Sequence, residues 1–187
     1  MLLSLGEGGM IVTNNEELHR NALLLHNLGA SKKIANQYSV NLNLGWNFRI
    51  PELVSAVGLT QLKKINEIIS YHKLIGDCFN SILTIDDFIP QKHMYSNHVY
   101  WRWVCRVKDP GRFLYLEEKF KDNKLMHFGH NRKNTVNDFE LIKRYRNKDN
   151  CSLLINANKV VNEILSVKIF YGVKVDEYKN LAMAILK

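Results

Sequence analysis

Histidine and cysteine side chains are the groups of this sequence best suited to hold a metal ion. His127 and His130 lie three residues apart beside a predicted turn, and a metal ion can use that spacing. No third ligand accompanies them in the sequence. The three cysteines, Cys78, Cys105 and Cys151, are widely spaced and form no CxxC motif, which argues against a disulfide framework and a zinc cluster. We therefore expect solvated histidines, buried thiols and no metal site.

The N-terminal segment predicts a β-strand followed by an amphipathic helix. A glycine-rich turn precedes residues 10–13, whose side chains favour extended structure. Asn14 or Asn15 can then cap a helix that begins with two glutamates, where the helix dipole favours acidic groups. Apolar residues recur at helical spacing as far as Gly29, which is expected to end the helix.

A polar and aromatic segment then leads into a long predicted helix. Residues 30–50 are rich in asparagine but also contain "QYSVNLNLGWNFRI", whose aromatic residues predict an ordered loop over a site or an interface. Pro51 fits the first turn of a helix, and apolar residues continue at a 3.6-residue period through residues 51–83. A helix of this length commonly connects two lobes.

The remainder predicts a small α+β lobe. In "SNHVYWRWVCRVKD" apolar and polar residues alternate, which is typical of a half-buried strand in an antiparallel sheet. A helix from "PGRFLYLEEKFKDN", a strand at "LMHFGHN", a helix running into a strand at "NANKVVNEILSVKIF" and a closing helix at "VDEYKNLAMAILK" follow. We expect two or three strands.

Charge and hydropathy bear on partners and compartment. The chain has 187 residues, and 26 basic against 18 acidic side chains give a net charge of +8. The basic residues are scattered, with "KRYRNK" as the densest patch, so a solvated surface is favoured over a nucleic-acid interface. The N-terminus lacks the features of a signal peptide, and no stretch has the roughly 20 apolar residues of a membrane span. We expect a soluble, cytoplasmic protein without a membrane partner.

Three segments, "GEGGMIVTNNEEL", "LLHNLGA" and "LGWNFRIPELVSAVGLTQLKKINEII", resemble in order and spacing the DegT/DnrJ/EryC1/StrS family of PLP-dependent sugar aminotransferases. The resemblance is close over residues 4–75 and continues at "EILSVKIFYGVKVDEY". A lysine stands at position 168, where the family usually has proline.

The resemblance implies a fold, α/β to α+β, that is the C-terminal part of a fold-type I PLP-dependent transferase. Residues 1–50 would be a remnant of the large PLP-binding domain, residues 51–83 a long connecting helix, and residues 84–187 the small α+β domain. It also implies the cofactor pyridoxal 5'-phosphate, a nucleotide sugar and an amino-acid donor as substrates, and assembly as a homo-oligomer.

The resemblance also assigns two candidate site residues. Asn47 matches the asparagine that reaches the cofactor phosphate of a neighbouring subunit, although it can instead cap a turn. Arg49 can bind a carboxylate of the amino donor as substrate, or pair with a backbone carbonyl.

No catalytic residue is assigned, because in the family the cofactor-binding lysine lies shortly before the glycine turn. Lys32 and Lys33 are poor substitutes, since a polar loop would not lower their pKa. We therefore expect a fragment or half of an aminotransferase that is inactive without a separate N-terminal half. The alternatives are a non-catalytic interaction module and, ranked last, a basic nucleic-acid-binding protein.

Overall fold

The chain folds into ten helices and strands within the residues described by the computed structural model, which are 2–30, 44–92, 98–129 and 155–187. In chain order the elements are α1 (Glu16–His26), α2 (Glu52–Lys63), α3 (Ile65–Ile82), β1 (Phe88–Pro90), β2 (Arg102–Val107), α4 (Pro110–Lys119), β3 (Met126–Phe128), α5 (Ile155–Val161), β4 (Ile164–Lys168) and α6 (Val175–Leu186). They divide into two compact units, unit 1 (Leu3–Ile65) and unit 2 (Asn66–Lys187).

Helix α1 begins where the sequence predicts and ends at His26, three residues before the predicted stop at Gly29. The side-chain oxygen of Asn15 accepts a hydrogen bond from the backbone N–H of Leu18 at 2.9 Å, which satisfies one of the free donors of the first turn. Gly29 has a φ of +74°, the left-handed conformation that glycine adopts without steric cost after a helix. The predicted cap is confirmed, whereas the chain already takes the left-handed conformation at Leu28, whose φ is +59°, before it reaches Gly29.

The strand expected at residues 10–13 is wrong. These residues belong to no helix or strand, and Met10 is 88% exposed. Extended propensity reflects packing against neighbouring strands, and no strand of the described chain pairs with this segment.

The single helix predicted over residues 51–83 is two helices. Helix α2 ends at Lys63 and α3 begins at Ile65, with Lys64 between them at φ −98° and ψ 2°. The boundary between the two compact units falls at Ile65 and Asn66, next to this break. The division into a large-domain remnant, a connecting helix and a small domain stays a prediction.

Unit 2 is built on an antiparallel sheet with the strand order β1-β2-β4-β3. In β2 every second side chain is buried, with Trp103, Cys105 and Val107 on one face. This confirms the predicted alternation, although the strand begins at Arg102 and Trp101 is 55% exposed. The sheet has four strands where we expected two or three, because β1 was not predicted. Strand β1 pairs with β2 in antiparallel register, with Phe88 opposite Val107 and Pro90 opposite Cys105.

Helices α3, α4 and α6 cover the apolar face of this sheet. Phe79 of α3 stacks on Trp103 with ring centroids 4.9 Å apart and contacts Tyr178 of α6 edge to face. Phe113 of α4 packs edge to face against Phe128 of β3. These aromatic contacts lie within one continuous cluster of buried side chains.

Candidate functional site

The two predicted site residues lie in a short extended segment that is held against the end of α1. The N–H of Trp46 donates to the carbonyl of Leu25 at 2.9 Å, and the N–H of Phe48 donates to the carbonyl of His26 at 3.1 Å. The carbonyl of Trp46 accepts from the N–H of Leu28 at 3.0 Å. Carbonyls in the last turn of a helix lack partners within the helix, so this segment supplies them.

Gly45 makes this close approach possible. A β-carbon at this position would lie 2.2 Å from the backbone nitrogen of Gly29 and 2.7 Å from the carbonyl oxygen of Leu24. Both neighbours are backbone atoms and cannot rotate away. Any other residue would therefore push the segment that carries Asn47 and Arg49 away from α1.

Alternate side chains of the segment have different characters. The aromatic rings of Trp46 and Phe48 stack with centroids 6.0 Å apart, and both side chains are exposed, at 58% and 65%. Asn47 and Arg49 contact each other: Nε of Arg49 donates to Oδ1 of Asn47 at 2.8 Å. The structure therefore brings the two predicted site residues together.

This contact fixes which way the Asn47 amide acts. Because Oδ1 accepts from Arg49, the amide NH2 group faces away as a neutral donor, which suits an oxyanion such as a phosphate. Arg49 retains the N–H groups of its two terminal nitrogens, a geometry that matches a carboxylate. Neither side chain is used to cap the turn or to bind a backbone carbonyl in the described contacts.

Sequence reasoning missed the importance of Gly45. Its signal was its place beside Trp46 in a polar loop, yet the contact that requires glycine is with Gly29, sixteen positions earlier in the chain. Only the three-dimensional arrangement shows that the two glycines meet.

The other candidate metal-binding and catalytic side chains lie in unit 2 or among the residues that the structure does not describe. His127 is in β3, opposite Ser166 of β4, and no group of three His, Cys, Asp or Glu side chains in the described ranges can hold a metal. His130, Cys151, Lys32 and Lys33 lie outside the described residues.

Neither of the two described cysteines forms a disulfide bond. Cys105 is buried and Cys78 partly buried. Burial raises the pKa of both thiols, and they therefore stay protonated and unreactive.

Within the described ranges, no helix is both long enough and apolar enough to cross a membrane.

Solved structures with the same fold are aminotransferases. PseC from Helicobacter pylori, an aminotransferase involved in the biosynthesis of pseudoaminic acid, superposes with a TM-score of 0.79 at 22% identity over 99% of this chain and 49% of that chain. The aminotransferase TlmJ from Streptoalloteichus hindustanus gives a TM-score of 0.76 at 18% identity, over 99% and 49%. Identities this low show the fold alone.

Curated relatives match part of the sequence. A GDP-perosamine synthase from Escherichia coli is 31% identical over 102 residues, which are 53% of this chain and 26% of that enzyme. A UDP-4-amino-4,6-dideoxy-N-acetyl-beta-L-altrosamine transaminase from Helicobacter pylori is 32% identical over 103 residues, 52% of this chain and 27% of that enzyme.

The structural matches span nearly all of this chain but about half the length of the proteins it resembles. The mixed helices and the small antiparallel sheet correspond to the C-terminal part of that fold. The sequence matches the family over residues 1–186. The chain therefore belongs to the DegT/DnrJ/EryC1/StrS aminotransferase family.

Proposed function

We propose that this chain contributes the C-terminal part of a PLP-dependent aminotransferase that aminates a keto sugar carried on a nucleotide. The family match over residues 1–186 supports the reaction class, and two curated relatives, one a GDP-linked and one a UDP-linked sugar enzyme, support a nucleotide sugar. An amino acid would supply the amino group. Because the chain spans about half of the matched structures, the complete activity belongs to a longer assembly in this proposal.

The observation that carries the proposal is the paired arrangement of Asn47 and Arg49. When bound, pyridoxal phosphate supplies an electron-withdrawing ring that makes a substrate proton acidic. Asn47 would donate its amide N–H to the cofactor phosphate, and Arg49 would hold Asn47 in the orientation that allows this. The terminal N–H groups of Arg49 would bind and orient the carboxylate of the amino-acid donor.

The cofactor-binding lysine would come from a segment other than the one described here. In the family it precedes the glycine turn, and we propose that a separate N-terminal half provides it. The exposed positions of Asn47 and Arg49 are compatible with a site completed by such a partner.

A reconstitution experiment tests this function. The chain is co-expressed with the N-terminal half of a relative such as PseC and loaded with pyridoxal phosphate. One sample is reduced with borohydride to map the adduct, and a second, unreduced sample is assayed for amino transfer to a nucleotide-linked keto sugar. We expect a reduced adduct on the N-terminal half and activity only for the pair. An adduct on Lys32 or Lys33 of this chain alone would contradict the proposal.

A matched pair of variants tests the role of Asn47. Asn47→Ala in the reconstituted pair should weaken cofactor binding roughly tenfold, because one hydrogen bond to a charged phosphate is lost. Asn14→Ala, which removes the same group from another exposed position, should leave cofactor binding unchanged. Equal affinity in both variants would remove Asn47 from the site.

A second candidate function, a non-catalytic interaction module, is favoured by the surface of unit 1. Large apolar side chains are exposed along it, among them Met10, Val12, Leu44, Trp46, Phe48 and Leu53. Exposed apolar area of this extent is typical of an association surface. A complex with the N-terminal half that forms but transfers no amino group would favour this function. Binding to nucleic acid is supported by net charge alone.

A further inference from the structure

Three nitrogen-bearing side chains lie together on the face of the sheet opposite the aromatic core. Arg102 of β2 lies directly opposite Lys168 of β4, and His127 of β3 lies directly opposite Ser166. Directly opposed residues of antiparallel strands share a face, and His127 is the diagonal neighbour of Lys168. Arg102, His127 and Lys168, here called the Arg102 cluster, therefore occupy one corner of the sheet.

The cluster contains buried hydrogen-bonding atoms that have no partner. Nε of Arg102 and Nε2 of His127 are both inaccessible to solvent, and neither makes a hydrogen bond. Unpaired buried polar atoms are rare in proteins because each loses its hydrogen bonds to water without replacement. The Arg102 guanidinium lies over the exposed ring of Trp101, whose centroid is 4.9 Å from Cζ.

Within the described ranges, the charges of the cluster also lack an acidic partner. Like charges directly opposite each other on neighbouring strands are destabilising, and the described chain places no acidic side chain in an ion pair with Arg102 or Lys168. The two cations, together with desolvation as the larger cause, lower the pKa of His127, so its imidazole is neutral near pH 7.

Arg106 shows what a compensated cation on the same face looks like. It lies on β2, four residues after Arg102, and its guanidinium binds the Glu163 carboxylate with Nη2 at 2.6 Å and Nε at 2.8 Å. This two-point contact uses the Nε atom that is left unpaired in Arg102. The difference between the two arginines points to an acceptor that the Arg102 cluster still lacks.

We propose that the Arg102 cluster binds a phosphate-class oxyanion, with Arg102 and Lys168 providing charge and His127 donating from Nε2. A phosphate dianion balances the two cations, and its oxygens can accept from donors that converge from three strands. The register also places the Ser166 hydroxyl on this face, beside His127. This inference does not rest on the proposed aminotransferase activity, since it uses only contacts within unit 2.

Titration of the full chain tests the site. Inorganic phosphate and the nucleoside diphosphate UDP are added in separate titrations at constant ionic strength, while the NMR signals of the His127 ring and the thermal unfolding temperature are recorded. We expect phosphate to shift the His127 signals and to raise the unfolding temperature, because a ligand that binds only the folded state stabilises it. If UDP binds more tightly than inorganic phosphate, the site recognises a phosphoryl group on a nucleotide. If the two bind equally, the site recognises the free phosphate ion.

Two substitutions on the same strand separate a specific site from general attraction. Arg102→Gln should weaken phosphate binding roughly tenfold or more, since it removes a charged donor. Arg106→Gln removes the same charge from the same face and should change phosphate affinity little. Equal losses in both variants, or wild-type His127 signals that respond to neither ligand, would overturn the proposal.

Discussion

At the residue scale, the candidate site depends more on Gly45, which has no side chain, than on its polar residues. Asn47 and Arg49 contact each other on a backbone segment that is fixed to the end of α1. Gly45 permits the close approach of this segment to α1. Their residue types were visible in the sequence, and their roles toward cofactor and substrate stay predictions. The close packing of Gly45 on Gly29 was not visible, because no local pattern reports which distant backbone atoms a glycine will meet.

Substitution of Gly45 tests this dependence. Gly45→Ala should destabilise unit 1 by about 1–3 kcal/mol, because the new methyl group overlaps backbone atoms that cannot move independently. Amide exchange of Trp46 and Phe48 should accelerate, since their N–H groups donate to the carbonyls of α1. Gly9→Ala is the matched control, as a β-carbon there meets nothing within 4 Å. Unchanged exchange in Gly45→Ala would refute this account of the glycine.

At the element scale, one stripe of α3 is shaped around a single tyrosine. His72, Gly76 and Asn80 are spaced by four residues and so share one face of the helix. Nδ1 of His72 lies 2.6 Å from the backbone oxygen of Tyr100, the Tyr100 ring lies over Gly76, and Asn80 donates to the Tyr100 hydroxyl at 3.0 Å. Asn80 also accepts from Trp103 Nε1 at 2.8 Å, which joins α3 to β2.

The histidine in this stripe makes the docking of α3 dependent on pH. His72 is 2% exposed, and burial lowers its pKa, so the folded state favours the neutral ring. An unfolded histidine has a pKa of about 6.5 and takes up its proton first as the pH falls. The stabilising contribution is therefore complete above about pH 6.5 and is lost as the pH falls toward the folded pKa.

Denaturant unfolding measures this effect as the change in unfolding free energy between about pH 8 and about pH 5. This range brackets the reference histidine pKa of about 6.5. His72→Gln should reduce the loss of unfolding free energy on acidification. Some loss should remain, because the pKa of His127 is also lowered. An unchanged pH dependence in His72→Gln would mean that the proton of His72 is not linked to folding.

The elements also show which sequence signals suffice. The Asn15 cap acts through its own neighbours in the chain, and it was predictable. The break at Lys64 was not, because neither proline nor glycine marks it and the apolar period continues across it. Strand β1 has three residues, too few to show alternation, and its Pro90 argues against a central strand. Residues 10–13 had strand propensity but no partner strand among the residues that the structure describes.

At the scale of the whole molecule, the apolar core is confined to one of the two units. Every buried hydrophobic side chain of the described chain lies between Ile68 and Ile185, which places all of them in unit 2. Helix α1 of unit 1 has no buried residue. Most helical stability in proteins comes from burial of an apolar face, so α1 gains little from its own unit.

Hydrogen exchange of the isolated chain should therefore separate the two units. We expect fast exchange of the amides in α1 and slow exchange in β2, where Trp103, Cys105 and Val107 are at most 1% exposed and the strand is paired on both sides. The exposed apolar side chains of unit 1 should also promote association, and co-expression with the N-terminal half should slow exchange in α1. A monodisperse monomer with equally slow exchange in α1 and β2 would show that unit 1 is stable without a covering partner.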